Sequence, residues 1–428
     1  MASGCRVFSL LLFGIRFAQA AAGDSALTLP QAVERAVSEN PALKALQWKI
    51  AGAQASASQA GLRANPSLGL QTENFAGTGD YAGARSLEAT VTLSQPLETG
   101  GKRRSHRDLA GAEKESLELE YRAGKSRIAL EVRSLFGEIL LVQERLALAG
   151  QDLQTEQEFL ETQVARRKAG KSPLMDEQRA KANLLTALLA RARLERENAS
   201  LRLRLSALMG AGPEGLRGSE GFPQVIGQLS ELEPLPGLDS LLQAMETSPA
   251  QFQRAKALEI RNLELEVQRA EAKPDVDVEV GYRHSREVMA SGFLLGLSMP
   301  LPFWNRNQGG IAAASARISQ TQEEIRATQR QIAAALRESH GKLVGLQADL
   351  AFMRDSLLPT SQSAYHAAQE GYRMGRFSPL EVLDARRAYN ETNQAFLEAL
   401  ADYHRQYLEL EKLMQTGGNG SMAREGRE

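Results

Sequence analysis

Apolar and polar residues alternate along four short stretches of this chain with the period of two that belongs to a β-strand. Leu87, Ala89, Val91 and Leu93 interleave with Glu88, Thr90, Thr92 and Ser94. Val276, Val278, Val280 and Tyr282 interleave with Asp275, Asp277, Glu279 and Arg283. Leu68 and Leu70, and then Phe293, Leu295, Leu297 and Met299, repeat the pattern more weakly. Each run is about 9 to 11 residues, the length of a tilted strand that crosses a bilayer. The same alternation also describes a sheet resting one face on a soluble core, so the strands alone leave both readings open.

Elsewhere the period is helical. His106 to Lys168, which has no proline, and Gly310 to Tyr372 are each read as one helix of roughly 60 residues, about 90 Å at 1.5 Å per residue. Ordinary domains do not contain such helices. In the second, Ile311, Ile318, Ile325 and Ile332 recur every seventh position, and the seam then shifts by four to Leu336, Leu343, Leu350 and Leu357. That is a coiled-coil seam with one stutter. The segments Ala250 to Ala272 and Pro379 to Met414 together match a long helix in length and are expected to stack end to end beside one.

The strands and helices fall into two copies. Asn40-Pro41 and Ser248-Pro249 each open a helical segment, and the segments end at Pro66 and Pro274 after equal intervals. Further on, Gln95-Pro96-Leu97 matches Met299-Pro300-Leu301, and Gly170-Lys171-Ser172-Pro173-Leu174 matches Gly375-Arg376-Phe377-Ser378-Pro379-Leu380, at nearly the same offset. The copies are placed at residues 28–210 and 238–414, with a Gly- and Pro-rich linker over 211–237 and a disordered tail over 415–428. Each copy reads short helix, strand, strand, long helix, helix, a mainly α architecture with a small β part.

Residues 1–22 hold Arg6, a nine-residue apolar run from Val7 to Ile15 and Ala18-Gln19-Ala20, the layout of a secretory signal peptide. The run is too short for a bilayer, which needs about 20 residues. Cys5 is the only cysteine and precedes the run, so neither a lipid anchor nor a disulfide is expected in the mature chain. No later stretch of 18 or more apolar residues occurs, so a membrane could be crossed only by strands. The 51 basic and 52 acidic residues nearly cancel, which argues against a polyanion partner such as nucleic acid.

Four strands cannot close a membrane barrel, because an open edge in lipid leaves backbone groups unpaired. Two, three or four chains would supply eight, twelve or sixteen strands, and an eight-stranded barrel is filled by its own side chains. A conduit therefore needs three or four copies.

Three motifs carry a resemblance: Gln95 to Arg103 after the second strand, Pro300 to Gly309 after the fourth, and Gly375 to Asp384. With the repeat they resemble the TolC superfamily of outer-membrane efflux proteins, and the first two resemble its CzcC-like metal-efflux branch. The resemblance implies a homotrimer with a twelve-stranded barrel in the bacterial outer membrane and an α-helical tunnel in the periplasm. It implies docking on a periplasmic adaptor and an inner-membrane pump of the RND type, with no cofactor and no enzymatic activity. It also places the adaptor contact at two tips, Gly170, Lys171, Ser172 and Pro173 in the first copy and Gly375, Arg376, Phe377, Ser378 and Pro379 in the second. The periplasmic gate would hold Asp176, Tyr372, Glu381 and Asp384, and three-fold symmetry would gather the carboxylates of Glu381 and Asp384 round one axis. The plain readings are a helix reversal, since glycine turns the chain and proline restarts it, and a solvated helix face.

On the strands, Glu88, Asp275, Asp277 and Glu279 are expected to face the lumen. The five histidines show no i, i+4 pair, so no stored-metal site is expected. Drug efflux or type I protein secretion would use the same architecture. A periplasmic coiled-coil adaptor would need soluble sheets packed on a core, and a purely structural coiled coil would have no use for paired strands.

Overall fold

The computed structural model describes residues 26–212 and 224–416. The signal-peptide reading of residues 1–22 falls outside the described residues, as do 213–223 of the linker and 417–428 of the tail. A short strand β1 (Ala26–Thr28) leads into α1 (Leu29–Glu39) and α2 (Pro41–Ala60). Then come β2 (Ser67–Glu73), β3 (Glu88–Leu97), α3 (Lys102–Lys168) and α4 (Leu174–Leu208). After β4 (Gln224–Ile226) and α5 (Leu238–Glu246), the order recurs as α6 (Pro249–Glu271), β5 (Val276–Ser285), β6 (Ala290–Ser298), α7 (Gln308–Phe352), α8 (Leu358–Arg373) and α9 (Pro379–Thr416). Helix α9 thus continues past residue 414, and the linker contains the strand β4.

Local chemistry sets the helix starts. The Asn40 side chain accepts from the Ala42 N–H at 2.9 Å to open α2, and Ser248 Oγ accepts from the Gln251 N–H at 3.4 Å to open α6. Each is followed by proline at the first helical position, where its missing N–H costs nothing.

The sheet has the order β2-β3-β5-β6, all antiparallel, so the second strand of the first copy pairs with the first strand of the second. Its register places like with like. Leu68, Leu93, Val280 and Leu295 form one row across all four strands, and Leu70, Val91, Tyr282 and Phe293 form another. The rows between them are Gly69, Thr92, Gly281 and Leu294, and Gln71, Thr90, Arg283 and Gly292. Period-two alternation in each strand has become one apolar face and one mostly polar face. No part of the described chain covers the apolar face: Phe293 is 88% exposed and Leu295 80%. β2 and β6 pair on one side only among the described residues.

In the helical body the same residue types go inward. Helix α3, about 100 Å long at 1.5 Å per residue, is flanked by α2 and α4 and by α6 and α9 laid along it. Ile128, Val132, Leu135, Ile139 and Val142 of α3 pack with Leu201 and Leu205 of α4 and with Leu27 and Val225, which the parallel pair β1–β4 brings together. A second core joins Ile332, Leu336, Leu343 and Leu350 of α7 to Leu400, Tyr403 and Leu410 of α9. Tyr403 and His404 also fasten the linker, through the Glu233 carbonyl at 2.7 Å and the Leu229 carbonyl at 2.8 Å.

The expectation of one unbroken helix from Gly310 to Tyr372 is corrected. Pro359 stands inside that span, and Met353–Leu357 winds as a π-helical turn just before it. Proline has no N–H for the helix ladder and its ring crowds the carbonyl four residues back, which a wider turn relieves. The extra residue also shifts the seam. Leu350 is buried as expected, but Leu357 is exposed, and Leu358, Tyr365 and Tyr372 carry the seven-residue repeat onward as half-buried residues.

Candidate functional site at the helical tips

The two helix reversals are built alike. Gly170 and Gly375 adopt left-handed φ of 69° and 74°. In the first, Lys171 N–H donates to the Arg166 carbonyl at 2.8 Å and Gly170 N–H to Arg167 at 2.9 Å; in the second, Arg376 N–H donates to Gly371 at 2.8 Å and Gly375 N–H to Tyr372 at 2.9 Å. Both are Schellman turns, which settle the last carbonyls of α3 and α8. The second turn is one residue longer, and the added length lets Phe377 fold back on Gly371, where any Cβ would collide with its ring. Leu174, Met175, Met374 and Leu380 are left exposed around the turns, as are Lys171 and Arg376.

The four gate candidates have separate surroundings. Tyr372 reaches from α8 to α3: its hydroxyl accepts from Arg166 Nη1 at 3.0 Å and Gln163 Nε2 at 3.4 Å, and the Arg166 guanidinium lies 5.5 Å from its ring centre. Glu381 turns back to its own helix start, accepting from the Ser378 N–H at 2.6 Å while its own N–H donates to Ser378 Oγ at 3.4 Å. This is a reciprocal capping box. The bond from the Ser378 backbone holds the Glu381 carboxyl below the usual glutamate range, with the Ser378 hydroxyl adding to it. Asp384 lies exposed one turn further along α9, and Asp176 is half-buried at the start of α4, where its N–H donates to the Pro173 carbonyl at 3.2 Å. Within the chain the three carboxylates share no bond among the described residues. The S-x-x-E spacing from Ser378 to Glu381 signals the cap in the sequence itself.

Charge pattern alone gives no sign of what lies behind the tip. Helices α3 and α9 run antiparallel and are tied by three arginine–carboxylate links: Arg386 to Glu156, Arg145 to Glu398, and Arg133 to Glu411. The link nearest the tip is the driest, with the Arg386 side chain 12% exposed and that of Glu156 4%. Arg386 also lies 3.7 Å from Asp152, which accepts from Asn390 Nδ2 at 3.0 Å, while Glu156 Oε2 has no partner. Burial pushes the Glu156 carboxyl above its ordinary range, against the pull of Arg386. Beside these groups Tyr365 stacks on Tyr389 at 5.9 Å, and a cleft of 270 Å³ opens between Thr162, Tyr372, Leu383 and Arg386.

On the sheet, Glu88, Asp277 and Glu279 lie on the polar face, half-buried, and Glu88 pairs with Arg283 at 3.8 Å. Asp275 stands just ahead of β5 and serves as a brace, binding Lys102 Nζ at 2.7 Å and the Thr99 N–H at 2.9 Å. Among the described residues no helix is long and apolar enough to cross a membrane, and no group of three His, Cys, Asp or Glu side chains is placed to hold a metal ion.

This arrangement has known counterparts. The fold matches that of the channel CusC with a TM-score of 0.75 and 18% identity, over 90% of this chain and 92% of that one. It matches the outer membrane protein VceC of Vibrio cholerae with a TM-score of 0.72 and 20% identity, over 91% and 96%. In sequence the chain is 26% identical over 399 residues to the cobalt-zinc-cadmium resistance protein CzcC of Cupriavidus metallidurans, covering 93% of this chain and 92% of the relative. It is 27% identical over 345 residues to the nickel-cobalt-cadmium resistance protein NccC of Alcaligenes xylosoxydans xylosoxydans, covering 78% and 74%. The family model for outer membrane efflux proteins matches residues 32–211 and 241–416, and the chain belongs to that family.

Proposed function

We propose that this protein is one subunit of a homotrimeric outer-membrane channel, a passive conduit that exports divalent heavy-metal cations. A periplasmic adaptor and an inner-membrane RND pump supply its cargo and its energy. The observation that carries this reading is the sheet, apolar over most of one face and unpaired at both edges among the described residues. Lipid would satisfy the face, and copies of the same sheet would satisfy the edges, since three copies give twelve strands around an open lumen. The metal cargo rests on the relatives that match most of the chain, named for resistance to cobalt, zinc, cadmium and nickel.

In this reading the tips form the closed mouth and the adaptor contact. Tyr372 and Arg386 hold the α8–α9 hairpin against α3, and opening moves that hairpin outward. Asp384 lines the mouth and, with Glu381 released from its cap, attracts cations as the carboxylates of three subunits converge. Loss of the gene in a host that carries the cognate pump should lower tolerance to cobalt, zinc and cadmium, and the protein should run as a heat-dissociable trimer from outer membranes. A soluble periplasmic monomer would overturn the channel, and unchanged metal tolerance with lost dye or detergent tolerance would redirect the cargo to drugs.

A further inference from the structure

At the helical end of the sheet the chain passes from strand to helix twice, and the two crossings carry different chemistry at one level. β3 ends at Leu97 opposite Val276, and β6 ends at Ser298 opposite Asp277, so the crossings emerge side by side with only β5 between them. Two strand spacings separate them, about 10 Å. The first crossing turns on Gly100 and Gly101, both left-handed with φ of 69° and 78°, and delivers Lys102, Arg103, Arg104 and Arg107 within the first turns of α3. The second places Phe303 and Trp304 in the open, rings edge to face at 6.1 Å, with Trp304 88% exposed.

Cations at a helix N-terminus oppose the helix dipole, and the first turn of α3 holds no acid. Lys102 is committed to Asp275. The three arginines are not neutralised to the same degree. Arg104 and Arg107 share the one carboxylate of Asp108, at 3.5 and 3.3 Å, and Arg103 is exposed with no ion pair among the described residues. The aromatic crossing extends the exposed apolar surface beyond the end of β6, since Met299, Leu301 and Phe303 follow Phe293, Leu295 and Leu297 along the chain and all six are exposed. An exposed aromatic pair at the border of an apolar band, beside guanidinium groups that suit phosphate oxygens, has the chemistry of a lipid headgroup boundary.

We infer that this collar binds the headgroup of an anionic phospholipid from the leaflet that faces the helices, through Arg103, Arg104 and Arg107, with Phe303 and Trp304 seated among the neighbouring acyl chains. The first copy of the repeat supplies the three arginines and the second supplies the rings, with Arg306 exposed two residues beyond Trp304, so the full site exists only where the two copies lie together in the sheet. The inference rests on the membrane reading of the sheet.

The test uses the purified full-length channel and flotation with two vesicle preparations, one of phosphatidylethanolamine alone and one with phosphatidylglycerol added, at low and high salt. The expected result is recovery with both, greater with phosphatidylglycerol, the excess being lost at high salt and in Arg103→Gln/Arg104→Gln/Arg107→Gln. The single variant Arg103→Gln should lose part of that excess, which gives a reading if the triple variant fails to fold. Trp304→Ala should lower recovery with both vesicles alike. Equal recovery with both vesicles, an excess that survives the triple variant, or an excess abolished by millimolar inorganic phosphate would overturn the site while leaving the channel intact. Recovery with neither would overturn the membrane reading itself.

Discussion

In the helical body Leu336 and Leu343 are fully buried, whereas in the sheet Phe293 and Leu295 are almost fully exposed, although both regions carry rows of large apolar side chains. The difference lies in what each face has to meet. The seam of α7 finds the seam of α9 within the same chain, so this part of the body is covered by its own residues. The sheet has no second layer among the described residues, and its apolar rows continue unbroken from β2 to β6. A periodic pattern therefore fixes which face is apolar and leaves open what will cover it.

The sharpest way to break the contrast is inside the body, at its driest charge. Arg386→Ala leaves Glu156 buried without its partner and should cost about 3–5 kcal/mol, read as a lower unfolding temperature and faster proteolysis of α9. Because burial raises the Glu156 carboxyl, its ionisation works against the fold: the favourable protonated state is fully present below the unfolded glutamate range and is lost as pH rises through the folded value. The penalty of Arg386→Ala should therefore shrink on acidification. A penalty unaffected by pH would mean that Glu156 is wetter than it looks here.

The same truncation in the two regions compares them directly. Leu343→Ala removes methyl groups from a closed core and should cost about 2–5 kcal/mol with the cavity it leaves. Leu295→Ala should cost clearly less in membranes, because lipid closes over the gap. Equal losses would mean that the sheet, too, is covered by protein.

A charge on the apolar face tests the facing of the strands. Val280→Arg sits mid-row between Leu93 and Leu295 and should cost about 2–4 kcal/mol near the bilayer centre. Glu279→Arg, on the other face, should assemble as the parent does. The smallest effect belongs to the tip, where Ser378→Ala removes the hydroxyl half of the capping box at about 1 kcal/mol. The Glu381 half of the box, with its lowered carboxyl, contributes above the ordinary glutamate range and is lost as pH falls through the folded value. A helicity of the α9 start that ignores both changes would show the box to be idle.

Local devices were the legible part of this molecule. The caps at Asn40 and Ser248, the glycine turns at the tips, the four strands and the seam at Leu336, Leu343 and Leu350 each announce themselves within a few residues. The π-turn was hidden because Pro359 falls late in a strongly periodic helix, and Leu357 keeps the right spacing while losing the right place. The pair β1–β4 has three residues a side, too few to show a period. The links between α3 and α9 join residues more than two hundred positions apart, and until the helices are in register each arginine looks like part of a solvated face. Glu381 was readable in two ways, as a gate acid by family resemblance and as a cap by its distance from Ser378, and in the isolated chain it is the cap.

The links between α3 and α9 also decide how the two helices respond to force. Glu156 meets Arg386, Arg145 meets Glu398 and Arg133 meets Glu411, so the rungs advance in step along an antiparallel pair. Sliding one helix past the other would load all three rungs together. Pulling α9 away at the tip instead peels them one at a time, and the first to bear the load is the one sealed from water. The wetter rungs behind it yield more easily, so resistance peaks at the start of the peel and falls afterwards. A partner gripping the tip of α9 would therefore do most of its work in the first few ångströms of travel.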